Sequence, residues 1–195
     1  MKRSPPHQSL LDSLPQGESG QRREPSPVHL WNPPLSGEMD MQITRDGTWY
    51  HEGDPITRKP LVQLFAGILK YDADEQRYYL VTPVERWGIQ VDDAPFVATQ
   101  LQVAGSGKDQ QLTFSTNLDD QVMADAEHPV RVVVDGTTEE PAPYVLLRAN
   151  LEALIHRNVF YQLVELAVSE TVEGVQRTGV WSGGTFFPID GKTGV

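Results

Sequence analysis

The chain has 195 residues, a length that holds one domain or two small ones. It carries 16 Lys and Arg against 27 Asp and Glu, a formal charge of −11, so nucleic acid and anionic membranes are repelled rather than attracted as partners. Cysteine is absent, which excludes disulfides, thiolate metal sites and cysteine nucleophiles together.

Lys2 and Arg3 open the chain, but Pro5, Pro6 and His7 follow. A secretory signal needs an apolar core of about 7–15 residues, and a membrane helix roughly 20. No stretch supplies either, so a cytoplasmic location is expected. Residues 1–38 hold seven of the 15 prolines, with many Ser, Gln, Glu and Arg. Such a segment buries too little apolar area to offset the entropy of ordering and reads as a flexible tail. Leu10, Leu11 and Leu14 have the spacing of a short docking helix.

A first α+β unit is expected over 39–84. Met41 and Ile43 alternate before the turn Asp46-Gly47, and Trp49-Tyr50 follow it, as in a hairpin. A helix follows from about Thr57 to Lys70. Thr57 can cap it, Pro60 falls in its first turn, and Leu61, Leu64, Phe65, Ile68 and Leu69 form one apolar face. Arg77–Thr82 reads as a strand stopped by Pro83.

A second unit is expected over 85–195. Gly88–Val91 is a short strand. Val97–Val103 and Leu112–Thr116 alternate on either side of the turn Gly105–Asp109, another hairpin. Val130–Val134 and Tyr144–Arg148 are strands, and a long helix is expected over about Leu151–Ser169 with Asn150 as its cap. Two short strands, Gly179–Gly184 and Thr185–Pro188, close the chain, with Gly183-Gly184 as a turn or bulge.

Strands thus cluster between lone helices, without βαβ alternation. The expected fold is α+β and mostly antiparallel, in two similar units, each with one main helix packed on a sheet. The helices echo one another: Arg58–Phe65 aligns with Arg157–Val164, with Arg, Gln and Leu coinciding. Shared amphipathic spacing explains such an echo as well as a true repeat does.

Trp49–Ile56, Leu80–Glu85, Val91–Phe96, Leu151–Ile155 and Val159–Val164, in that order, resemble a bacterial family catalogued as domain of unknown function 1285. The likeness spans roughly residues 40 to 190. It implies two similar α+β units and a part in signal transduction, and it assigns no enzymatic activity, cofactor or ligand.

Motifs for known chemistry fall short. Gly105-Ser106-Gly107-Lys108 lacks the earlier glycine and the following Ser or Thr of a phosphate loop, since Gln102 and Asp109 stand there. His51-Glu52 lacks the second histidine of a zinc-protease helix, and Pro55 stands in its place. The five histidines are scattered, so no metal site is expected. Ser182 before two glycines reads as a turn residue rather than a nucleophile.

The candidate binding set is His51, Arg58, Arg148, Arg157 and Tyr161, with Glu85 and Asp92 as possible carboxylate partners. Arg58 and Arg148 are placed at helix starts, where a cation opposes the helix dipole and therefore implies an anionic partner. Structural ion pairs are the leading account of such arginines, because an acidic protein commonly holds them in pairs. The leading reading is a non-enzymatic cytoplasmic module that binds a small anion or a protein partner. One alternative is an acid–base hydrolase or lyase using His51 with Glu85 or Asp92. The other is an interaction module that forms a homodimer through the second helix.

Overall fold

The computed structural model describes residues 26–134 and 140–191; most of the Pro-rich stretch, with Leu10, Leu11 and Leu14, lies outside them. The chain divides into two compact units, Met1–Asp92 and Asp93–Val195.

The first unit contains β1 (Leu35–Ile43), β2 (Trp49–His51), β3 (Asp54–Pro55), α1 (Lys59–Ala66), β4 (Leu69–Asp72), β5 (Arg77–Val81) and β6 (Arg86–Val91). They form one sheet in the order β3-β2-β1-β6-β5-β4. Period-two patterning sets β1: Met39, Met41 and Ile43 are buried, while Glu38 and Asp40 are exposed. The β1–β2 hairpin turns at Asp46-Gly47, with Gly47 at φ 83. There Thr44 Oγ1 donates to Asp46 (2.6 Å), as does the Thr48 amide (3.0 Å). The Thr44 hydroxyl, then the Thr48 amide, hold the Asp46 carboxyl below its usual range.

Helix α1 is shorter than its periodicity suggests. Arg58, not Thr57, is the N-cap, and no side chain caps it. The helix stops before Gly67, so Ile68 and Leu69, although buried, belong to the turn and to β4, where Leu69 pairs with Leu80. The buried face is Val62, Phe65 and Ala66, and Phe65 stacks on Trp49 at 6.4 Å. Folded chain also begins before residue 39. Val28 is buried in a short 3-10 turn, Val28–Leu30, and the Ser26 amide donates to the Gly67 carbonyl.

The second unit contains β7 (Phe96–Ala104), β8 (Gln111–Thr116), β9 (Gln121–Met123), β10 (Val130–Val134), β11 (Pro141–Arg148), β12 (Leu151–Ile155), α2 (Arg157–Glu165), β13 (Val168–Val172), β14 (Val175–Ser182) and β15 (Thr185–Pro188). Its main sheet runs β10-β11-β12-β7-β8-β9, and β13-β14-β15 form a smaller one. Ser182 joins the two: its buried hydroxyl accepts from the Leu112 amide (2.9 Å) and donates to the Ala124 carbonyl (2.6 Å). It is a structural bridge, not a nucleophile.

Two expectations need correction. Leu151–Ile155 is a strand, with Leu151, Ala153 and Ile155 buried at period two. Apolar residues at 151, 154 and 155 satisfy a helical period as well, and β11 and β7 on either side decide the matter. Asn150 is therefore not a helix cap. With Ala149 it forms the β11–β12 turn, at φ 64 and 41, and His156 caps α2 through the Asn158 amide. The division at 84/85 would cut the first sheet, because β6 pairs with both β1 and β5.

The two six-stranded sheets have the same strand order. In each, numbered within its unit, strands run third, second, first, sixth, fifth, fourth, and the first and sixth pair in parallel. The other pairings are antiparallel. The helices are not equivalent: α1 connects the third and fourth strands, whereas α2 follows the sixth. The likeness between units resides in their sheets, not in the helical echo.

Candidate functional site

The central seam of the first sheet is irregular. Glu38 pairs with Gly88, but the next partners are Gln42 and Gln90, so four steps along β1 match two along β6. Two extra residues bow β1 away from β6. A groove of about 480 Å³ lies there, lined by Glu38, Asp40 and Gln42 on β1, Gln90 on β6, and Gln76 and Arg77 at the start of β5. A smaller hollow of about 300 Å³ on the other side of β1 shares Asp40 and Gln42 and reaches Tyr50.

One ion pair crosses the floor. Arg77 Nη2 donates to Glu38 Oε2 at 2.6 Å, from β5 to β1 over the intervening β6. The crossing is possible because residue 88 is glycine. A Cβ there would meet Glu38 Oε2 at 2.5 Å. At the far end Gln42 Nε2 donates to both oxygens of Asp92 (2.8 and 3.0 Å), and Gln90 Nε2 donates to Oδ1 (3.2 Å). On β5, the Tyr79 hydroxyl donates to Glu75, a bond that raises its pKa and keeps it protonated, and the Arg86 guanidinium lies 4.5 Å over the Tyr79 ring.

The residues expected from the sequence do not gather into one cluster within either unit. His51, Arg58, Glu85 and Asp92 belong to the first unit, and Arg148, Arg157 and Tyr161 to the second. His51 pairs with Met41 and Asp54, whereas Glu85 precedes β6 near the Leu35 end of β1. At about 3.3 Å per residue, the register holds His51 and Glu85 on the order of 15–20 Å apart. Asp92 lies two strand spacings and a three-residue offset from His51, roughly 14 Å between Cα atoms. Neither carboxylate is within reach of the proton transfer that the hydrolase reading requires.

Arg58 is exposed at the α1 N-cap, and its side chain has no partner among the described residues. Arg148 is not at a helix start. It ends β11, pairs with Asp120 at 3.5 Å and lies 5.1 Å over the Phe96 ring. Arg157, in the first turn of α2, donates from Nε to the Tyr161 hydroxyl at 2.5 Å. Local contacts thus engage two of the three arginines. Among the described residues, no three His, Cys, Asp or Glu side chains stand close enough to hold a metal ion. No helix among them is long and apolar enough to cross a membrane.

Sequence reading missed the groove residues. The sequence places Glu38 in the tail and Arg77 at an ordinary strand start, and Gln76 carries no signal of its own. The available signal was the alternation Glu38, Asp40, Gln42, a polar face on a strand whose other face is Met39, Met41 and Ile43.

Residues 26–94 match the N-terminal domain, and 95–189 the C-terminal domain, of a protein described as of unknown function, DUF1285. A crystal structure of a DUF1285 family protein from Silicibacter pomeroyi DSS-3 is 52% identical, with a TM-score of 0.78, over 88% of this chain and 90% of that one. Another, from Shewanella baltica OS155, is 26% identical over 64% of this chain and 89% of its own, with a TM-score of 0.48. No curated protein matches. The chain belongs to the DUF1285 family, and the boundary between the matched domains falls within two residues of the division seen in the fold.

Proposed function

We propose that this DUF1285 protein is a non-enzymatic binding module for a small hydrophilic molecule, with the groove at the bulged β1–β6 seam as its site. A role in signal transduction fits such a module, with occupancy of the groove as the signal. The supporting observation is the bulge itself: it opens a concavity inside a six-stranded sheet and surrounds it with carboxylate, amide and guanidinium groups. The test is a thermal-shift screen of the full chain against polar metabolites, repeated with Gln90→Trp, which fills the floor. A ligand that binds only the folded state raises the melting temperature in a concentration-dependent way. The reading expects such a shift in the native chain and its loss in Gln90→Trp. A flat screen, or a shift that survives the substitution, defeats it.

A second reading, self-association through α2, draws on Tyr161 and Val164, which are 49% and 50% exposed on that helix. Sedimentation velocity over a hundredfold concentration range tests it, and a constant monomer would end it.

A further inference from the structure

The two walls of the groove differ in charge, and the difference bears on what the proposed site takes. On the β1 wall, the Asp40 carboxylate has no partner among the described residues, and Glu38 spends only Oε2. On the facing wall, Arg77 spends only Nη2 in a hydrogen bond, leaving Nε and Nη1, and the Gln76 amide is unspent among the described residues. Between them the Glu38 carboxylate lies over Gly88, and the floor beyond it is polar at Gln90. The backbones of the walls run two strand spacings apart, roughly 10 Å, and the Arg77–Glu38 pair bridges them at one place, leaving the stretch toward Asp40 and Gln90 open.

Unspent acceptors on Asp40 and Glu38 therefore flank unspent donors on Arg77 and Gln76 around one ion pair. A simple anion meets two carboxylates and a guanidinium already shared with one of them. A simple dication places its second ammonium against Arg77. A molecule positive at one end and negative at the other satisfies both walls.

We infer that the groove takes a small zwitterion, an amino-acid-like molecule whose ammonium sits against Asp40 and Glu38 and whose carboxylate sits against Arg77. This inference rests on the groove being the binding site, and it replaces the simple anion expected from the sequence.

The experiment titrates the full chain with four probes of similar length: gamma-aminobutyrate, putrescine, succinate and uncharged butanediol. The readout is the side-chain amide NMR signals of Gln42, Gln76 and Gln90. The expected result is saturable movement with gamma-aminobutyrate, at least about tenfold tighter than with the other three. Asp40→Asn and Arg77→Gln are each expected to weaken it by a similar factor with unchanged circular dichroism. Equal or tighter binding of putrescine, succinate or butanediol overturns the zwitterion while leaving the groove as a site. Tight binding unaffected by Asp40→Asn and Arg77→Gln also overturns it. If none of the four probes moves these signals, the zwitterion falls and the groove loses its support with it.

Discussion

The two six-stranded sheets share one strand order but treat their central parallel seam differently. In the first, β1 carries two extra residues against β6, and the seam opens into a polar groove. In the second, β12 meets β7 in three regular pairs, Ala153 with Phe96, Leu154 with Val97 and Ile155 with Ala98. The chain then turns directly into α2, whose cap residue His156 donates its amide to the Ala98 carbonyl, and α2 packs against β7. A repeated topology has thus not repeated a site. What opens a sheet is a local surplus of backbone, which strand order alone does not supply. Where the second unit ends its seam with a helix, the first leaves Glu38, Asp40 and Gln42 facing a hollow.

Substitutions in each unit can sharpen this contrast. The largest expected effect is in the closed unit. Leu163 is fully buried on α2, and Leu163→Ala should cost about 3 kcal/mol in urea denaturation.

Two strand glycines, one in each unit, differ in what surrounds them. A Cβ on Gly179 of β14 would stand 2.3 Å from the Phe187 carbonyl oxygen and 2.7 Å from the Phe186 ring. Backbone cannot yield cheaply, so Gly179→Ala should cost about 2–3 kcal/mol. Ser182→Ala strands the Leu112 amide and the Ala124 carbonyl, for a loss of about 2 kcal/mol in the same assay.

In the open unit the glycine at the seam is forgiving. Gly88→Ala collides only with the mobile end of Glu38, and the ion pair it breaks is 44% and 60% exposed at its two partners. The stability cost should stay below about 1 kcal/mol. The Gln90 amide signal should nevertheless shift, because the bridge over the floor is gone. A cost as large as that of Gly179→Ala would mean that the seam is braced rather than open.

The smallest effect is at the hairpin leading out of β1. The Asp46 carboxyl titrates below its ordinary value of 3.8 when folded. Its contribution is therefore present above the unfolded value and lost as pH falls through the lower, folded one. The stability gap between the native chain and Asp46→Ala should be constant from neutral pH to about pH 5 and narrow below that. A gap that widens on acidification would contradict the bonding seen at Thr44 and Thr48.

Much of this protein was legible in its sequence. The strands around Arg77–Val81, Phe96–Ala104, Gln111–Thr116, Val130–Val134 and Thr185–Pro188 follow from alternation and turn residues, because a half-buried strand writes its two faces directly into the chain. The α+β class, the family and the two similar units were readable on the same grounds. Tertiary structure alone decided whether Leu151–Ile155 was helix or strand, since its pattern fits both periods and only β7 and β11 beside it select one. Tertiary structure also decided the fate of the charges. The sequence calls for a carboxylate or an anion beside Arg148 without saying which, and the fold supplies Asp120, while Glu38 reads as tail and crosses a sheet to Arg77. Such pairs join residues distant in sequence, and the bulge that separates β1 from β6 is a mismatch between two strands. Neither property belongs to any one segment of chain, so no local pattern records it.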